Sequence, residues 1–151
     1  MAYADSIRTT NPTFENVANL IDGQLISWQA VYIDSPTPTA ITASDTLVSG
    51  SSITQAFATG EQALILATGT ASHSVSNGVI ELRLRFNSTN LRSGYVISYR
   101  SNTGGLDQTF AVHVLHTPGA GTHTYSMRVD TSGASAYIRL TGISVIKFRN
   151  S

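Results

Sequence analysis

Hydrophobic and polar residues alternate with a period of two along most of this chain, which is the spacing of half-buried β-strands. The clearest alternation separates apolar from charged side chains on two faces of one segment: Ile80, Leu82, Leu84 and Phe86 against Glu81, Arg83 and Arg85. Further strands are predicted at 25–33, 40–43, 53–57, 62–68, 95–100, 108–115, 122–129 and 134–148. Turn residues separate them. Segment 62–68 is apolar on both faces, so we expect both of its faces to be buried. The pattern predicts an all-β fold, a sandwich or barrel of about eight to nine antiparallel strands.

The last third of the chain reads as three strands joined by turns rich in Pro, Gly, Asp and Ser. We expect these strands to form a meander across residues 106–148. The final strand, 134–148, is long and apolar, and such a strand is expected at the centre of a sheet because an exposed edge invites aggregation. Asn77 and Gly78 form the dipeptide that favours a hairpin turn.

In the first predicted strand, Ile26, Trp28, Ala30 and Tyr32 share one face. We expect that face to point inward, and we expect the same of Tyr95 and Tyr99, although exposed rings at these positions could stack on carbohydrate.

The final strand has apolar groups on both faces. One face carries Ile138, Leu140, Ile146 and Phe148, and the other carries Tyr137, Ile143 and Val145. The second face would be exposed in a monomer, so Tyr137, Arg139, Ile143 and Val145 are predicted to meet another subunit. The alternative is a β-bulge at Gly142 that switches the phase of the alternation. For Glu81, Arg83 and Arg85 the choice is also open, between ion pairs across subunits and a solvated face.

The N-terminal segment has a different period. Phe14, Val17, Leu20 and Ile21 lie at the spacing of one helical face, with Thr13 as a possible N-cap and Gly23 as a stop. We therefore expect an extended arm over 1–12 and a short helix over 13–22. Residues 1–24 then form an arm-and-helix segment, and residues 25–151 form one β-sandwich domain.

Composition narrows the possible partners. Charged residues make up 12% of the 151 residues, the formal net charge is zero and cysteine is absent. A neutral chain offers little to nucleic acid or to a charged membrane surface, and it has no disulfide or thiolate metal site. No apolar run reaches the roughly 18 residues of a membrane span, and no signal peptide is visible. Low net charge favours association between subunits, unless Ser, Thr and Asn keep the surface polar.

Catalytic chemistry finds little support. His113 and His116 would point to opposite faces of one strand, and residues 118–123 match a cupin metal motif incompletely. Asp34, Asp107 and Asp130 fall at turns or strand ends, where Asp usually binds backbone groups. There is no Gly-x-Ser-x-Gly elbow and no phosphate-binding loop. We expect no enzyme activity, no metal and no cofactor.

Three segments, 60–84, 117–128 and 137–146, resemble the small jelly rolls of phage virion proteins, which are similar in fold to the tumour necrosis factor and complement-head family. The resemblance covers residues 60–148 and rests on a Pro/Gly turn before the Gly-Thr-His-Thr-Tyr strand and on the apolar final strand. It implies a jelly roll that assembles as a homotrimer. Such domains serve as capsid decoration (cement) proteins, head fibres or receptor-binding fibre tips.

No coiled-coil or collagen-like shaft precedes the domain, which favours a decoration protein made in the host cytoplasm and bound to the virion surface. In that role the N-terminal segment would dock on the major capsid protein through its apolar residues, Tyr3, Ile7, Phe14, Val17 and Leu20. The interface residues named above would form the trimer. The alternative is a receptor-binding head whose loops at 34–52 and 101–107 contact a host glycan.

Overall fold

A computed structural model describes residues 24–33, 39–92, 97–100, 105–132 and 135–149. These residues form ten strands: β1 (Gln24–Ile33), β2 (Thr39–Ile41), β3 (Thr46–Phe57), β4 (Glu61–His73), β5 (Val79–Phe86), β6 (Thr89–Asn90), β7 (Ile97–Arg100), β8 (Gln108–His116), β9 (Gly121–Ser132) and β10 (Ala136–Arg149). They contain no helix, and hence none long and apolar enough to cross a membrane. The arm and helix expected over 1–22, and Tyr95, lie outside the described residues.

The strands form two antiparallel sheets packed face to face. Sheet A has the order β1-β10-β4-β8, with β2 also paired to β10, and sheet B has the order β3-β9-β5-β6, with β7 also paired to β5. From β3 to β5 and from β8 to β10 the chain passes between the sheets at every connection. This wrapping is a jelly-roll β-sandwich, so the all-β prediction is confirmed. The two shortest strands, β2 and β6, bring the number above the eight to nine expected.

Two predictions about strand pairing are wrong, for one reason. The segment 106–148 is not a meander, because β8 and β10 belong to sheet A while β9 belongs to sheet B. Likewise Asn77 adopts a turn conformation with a φ of 61°, but the flanking strands β4 and β5 lie in different sheets and form no hairpin. Turn residues in a sequence show where the chain bends, but they do not show which strands pair after the bend. The central position predicted for the last strand is confirmed, since β10 lies between β1 and β4.

The core fills the space between the sheets. On β5 the predicted inward residues Ile80, Leu82 and Leu84 are all buried. They meet a continuous cluster of side chains from both sheets, including Ile53, Ile65, Val114, Tyr125, Met127 and Val129. Side chains of sheet A crowd the inner face at Gly69, where a Cβ atom would lie 2.6 Å from Thr141 Oγ1 of β10 and 2.7 Å from Phe110 Cζ of β8.

A β-bulge divides β10 into two halves with opposite phase. The pairing of β10 with β4 shifts between Arg139 and Gly142. Ile138 points inward before the shift, and Ile143 and Val145 point inward after it, at 1% and 0% exposure. These two residues are core residues, so the prediction that they meet another subunit is wrong. The alternative, a phase-switching bulge at Gly142, explains the apolar residues on both faces.

Candidate functional site

The outer face of sheet A, which points away from sheet B, carries an unusual concentration of uncharged side chains. The strand register sets twelve residues in three rows across β1, β10, β4 and β8. The rows are Trp28, Ile146, Leu64 and Leu115; then Ala30, Ser144, Leu66 and His113; then Tyr32, Gly142, Thr68 and Ala111. We call these twelve residues the outer patch.

Large apolar side chains of the outer patch face solvent. Trp28 is 57% exposed, Tyr32 is 66% exposed and Leu115 is 59% exposed. Together they expose on the order of 400 Å², taking about 150–250 Å² for a whole aromatic side chain. Between them Ile146 and Leu64 are half-buried, so the apolar surface is continuous across the sheet. A contiguous apolar surface of this size is often functional, which makes the outer patch a candidate interaction site.

Trp28 is therefore placed on the opposite face from the one expected. The period-two pattern correctly groups it with Ile26, Ala30 and Tyr32, but that face points away from the core. The opposite face of β1 holds Ser27, whose hydroxyl accepts a hydrogen bond from Gln55 Nε2 of sheet B. The same face carries Val31 and Ile33, which pack against the core and set this face of β1 toward the sandwich.

The outer patch contains no Asp, Glu, Lys or Arg, and His113 and the Tyr32 phenol are its ionisable groups. The Tyr32 ring lies against Gly142, where a Cβ atom would be 3.3 Å from Tyr32 Cδ2. Charged residues lie next to the patch. Beyond the bulge in β10, Arg139 Nη1 lies 3.4 Å from Asp107 Oδ2. Removing water from such an uncharged surface costs little free energy, so the patch suits burial against another protein.

The outer face of sheet B, unlike the outer patch, carries charged side chains joined in ion pairs. Arg83 pairs with Asp130 at 2.5 Å, and Asp45 pairs with both Arg85 at 2.7 Å and Arg128 at 3.0 Å. Arg83 and Arg128 lie directly opposite each other on β5 and β9, an arrangement that repels unless carboxylates are close.

Asp45 supplies one of those carboxylates from a turn with a φ of 52°, a conformation that Asp tolerates well. Its backbone N–H also donates to Asp130 Oδ1. Arg83 and Arg85 therefore each form an ion pair within this chain.

The remaining residues predicted for the interface lie at the other end of sheet A. Tyr137 and Arg139 are half-buried on β10 before the bulge, next to Ser72 and Thr70 of β4. They adjoin the outer patch and do not belong to it. The five residues predicted to dock on a capsid, Tyr3, Ile7, Phe14, Val17 and Leu20, lie outside the described residues. One sequence signal could have indicated the outer patch: segment 62–68 is apolar on both faces.

Side chains suited to metal binding or acid–base catalysis do not form a cluster within the described ranges. These ranges contain no group of three or more His, Cys, Asp or Glu that could hold a metal ion. His113 points outward and His116 inward, as their spacing predicts. Asp107 and Asp130 are engaged by arginines. Asp34 lies outside the described residues.

A cavity of about 230 Å³ opens beside β2, β3 and β10, in the region where glycan-contacting loops were expected. Its walls are formed by Ile33, Ala40, Ile41, Thr46, Leu47, Val48, Ser49, Ile138 and Thr141. None of these carries an aromatic ring or a charge. Sugar rings are usually bound by stacking on aromatic faces, so this cavity does not favour glycan binding.

No protein-family model matches the chain, and no curated protein matches it. Among solved structures, the chain is similar to that of infectious bursal virus derived T=1 particles, with a TM-score of 0.52 and 10% identity over 82% of this chain and 36% of that chain. The T13 particle of infectious bursal disease virus gives a TM-score of 0.47 and 11% identity, over 84% of this chain and 36% of that chain.

The CBM36-1 domain of a multidomain xylanase from the hindgut metagenome of Trinervitermes trinervoides gives a TM-score of 0.38 and 17% identity, over 79% of this chain and 96% of that domain. Scores below 0.5 support no conclusion. This chain spans 36% of the length of the particle protein that it matches at 0.52. At 10% identity, that likeness shows a shared jelly-roll fold and nothing about function.

Proposed function

We propose that this chain is a structural jelly-roll protein that assembles as a homotrimer through the outer patch and decorates a phage capsid as a cement protein. In this role it performs no catalysis and needs no cofactor, nucleic acid or membrane. It is made in the host cytoplasm and binds the major capsid protein on the virion surface.

The observation that carries the proposal is the outer patch. Its continuous apolar surface crosses all four main strands of sheet A, from Trp28 on one edge to Leu115 on the other. A stable interface buries about 800 Å² on each partner, with an apolar centre and a polar rim. The row from Trp28 to Leu115 supplies the centre, and the hydroxyl-bearing Ser144 and Thr68 begin the rim.

The occupant we assign to the patch is another copy of this chain. The patch has no charged residue with which to select an oppositely charged partner, so it matches best a surface of the same character. Three copies follow from the resemblance to trimeric phage jelly rolls. The ion-paired face of sheet B then remains outside and keeps the assembly soluble.

Attachment to a capsid is assigned to the N-terminal segment, through Tyr3, Ile7, Phe14, Val17 and Leu20. This segment precedes β1, which forms one edge of the outer patch. A clamp of this kind adds apolar contacts between capsomers at the entropic cost of ordering the segment.

Two measurements test the proposal in sequence. Sedimentation velocity of the purified chain is expected to give a trimer, and a monomer at every accessible concentration would reject the assembly. Co-sedimentation then uses capsids of the encoding virus stripped of this protein. A chain lacking residues 1–22 is expected to remain a trimer and to leave the capsid unbound, and binding equal to that of the full chain would reject the docking role.

A second function, a receptor-binding head for a host glycan, is favoured by one observation. Trp28 and Tyr32 expose their rings on the same face of β1, as sugar-stacking residues do. Glycan-array binding that disappears in Trp28→Ala would support this function. A trimer that binds no glycan and shields Trp28 would support decoration instead.

A further inference from the structure

Two histidines meet at one end of the sandwich, where β8 in sheet A crosses to β9 in sheet B. The ring of Phe86 lies between them, with its centroid 4.4 Å from that of His116 and 4.6 Å from that of His123. Neither histidine has a role in the proposed assembly.

The hydrogen bonds of His123 fix which nitrogen carries the proton. The Thr124 backbone N–H donates to Asn87 Oδ1 at 3.0 Å, which turns Asn87 Nδ2 toward His123 Nδ1 at 3.2 Å. Since an amide nitrogen can only donate, Nδ1 must accept and be unprotonated. Nε2 then carries the hydrogen and donates to the Gly119 carbonyl at 2.9 Å. Both ring nitrogens of a neutral His123 are thus in use.

His116 is held in the same state by a different partner. Its Nδ1 lies 3.0 Å from the hydroxyl of Tyr125, a residue with no exposed surface. Burial raises the pKa of Tyr125, so the hydroxyl keeps its proton, and a buried O–H left without an acceptor would be costly. Within the described part of the chain its acceptor is His116 Nδ1, which therefore has no proton of its own. Burial, and then the nearby His123, lower the pKa of His116.

We propose that His116 and His123 form a proton-sensitive latch, which ties sheet A to sheet B at this end of the sandwich and loosens when the pH falls. A proton on His123 Nδ1 would face the amide hydrogens of Asn87, and one on His116 Nδ1 would take the acceptor from Tyr125. Protonation of His123 would release the 117–120 connection from Asn87 at the end of β5. Protonation of His116 would break its hydrogen bond to Tyr125, which joins the two sheets.

A cation also lies at this end of the sandwich, on the other side of Phe57. The ring of Phe57 packs 6.2 Å from that of His123, and Lys147 Nζ lies 5.6 Å from the centre of the same Phe57 ring. The charge of Lys147 is partly balanced by Glu61, at 3.4 Å. Two protonated imidazoles on either side of Phe86 would also repel each other. Protonation of the two histidines at low pH would therefore add positive charge to an end of the sandwich that already holds Lys147.

The test is the pH dependence of unfolding in urea. For the wild type, the midpoint is expected to fall as the pH is lowered from about 7.5 to about 5.5. In H116Q/H123Q, whose amides keep acceptor atoms without titrating, most of this fall should disappear. H113Q, on the same strand but facing outward, serves as the control and should fall like the wild type. An unchanged fall in the double variant would overturn the latch.

A second measurement applies if the double variant does not fold. The nitrogen chemical shifts of the wild-type imidazoles report their tautomers directly. Both rings are expected to carry hydrogen on Nε2 alone at about pH 7.5, and to gain a second proton as the 117–125 backbone amides lose protection from exchange. A hydrogen on Nδ1 of either ring at neutral pH would refute the proposal, as would protonation without loss of protection.

Discussion

Leu115 and Leu106 form a matched pair for testing the outer patch. Leu115 belongs to the patch and is 59% exposed, and Leu106 lies before the other end of β8 and is 58% exposed. Complete burial of a leucine side chain contributes about 1.5–3 kcal/mol. The exposed part of Leu115 therefore has about 1–2 kcal/mol to gain in an interface. Because a trimer contains three copies, Leu115→Ser should destabilise it by about 3–5 kcal/mol.

This free energy raises the trimer dissociation constant by about 10²–10⁴-fold. The chain concentration at half-assembly scales with the square root of that constant, so it should rise by roughly 10- to 100-fold. Sedimentation velocity across a dilution series measures it. Leu106→Ser, which removes the same side chain at the same exposure, should leave the midpoint in place. Circular dichroism checks that both variants keep the fold.

Two results would refute the reasoning. If Leu115→Ser assembles at the wild-type concentration, the apolar row across sheet A is not the interface. If Leu106→Ser shifts the midpoint as far as Leu115→Ser does, the effect comes from general loss of hydrophobicity and not from the patch.

Three further predictions use other features. Trp28 is the single tryptophan of the chain, so its fluorescence should shift to shorter wavelength as assembly buries the ring; emission independent of concentration would contradict this. Gly69→Ala places a methyl group against the side chains of Thr141 and Phe110 on the neighbouring strands and should cost about 1–3 kcal/mol by thermal denaturation. Gly119→Ala, where a Cβ has no neighbour within 4 Å, should be neutral. The Ala58 backbone N–H lowers the pKa of the buried Glu61 below its ordinary value of 4.5. Its contribution to stability is therefore complete above that pH and lost as the pH falls through the folded value. Glu61→Gln should lower stability at neutral pH and flatten the acid limb of a stability–pH curve; an unchanged acid limb would argue against it.

The sequence predicted well those features that depend on local alternation. β5 has charged and apolar faces that differ sharply, and its inward residues Ile80, Leu82 and Leu84 could be identified without a structure. The strand positions follow for the same reason, because turn residues interrupt the alternation at each end. The predicted boundaries of β4 and β3 are shorter than the observed ones, since small residues such as Gly69 and Ser51 weaken the hydrophobic signal while remaining buried in the core.

Features that depend on the packing of two sheets were not predictable in this way. A period of two shows that Ile26, Trp28 and Tyr32 share a face, but it does not show which face meets the core. Partner choice is equally non-local, so the turn at Asn77 and Gly78 was correct as a bend and wrong as a hairpin. The outer patch is assembled from four strands that are distant in sequence, and only the register brings Trp28 and Leu115 into one row.

The bulge in β10 has a consequence for how this surface could change. Between Arg139 and Gly142, β10 takes three steps where β4 takes two, from Thr70 to Thr68. Deleting one residue there would therefore remove the bulge without changing the pairing on either side of it. Ile143 and Val145 would still face the core, and the strand would alternate without interruption. We expect this segment to tolerate the loss of one residue without exchanging the inside and the outside of the strand.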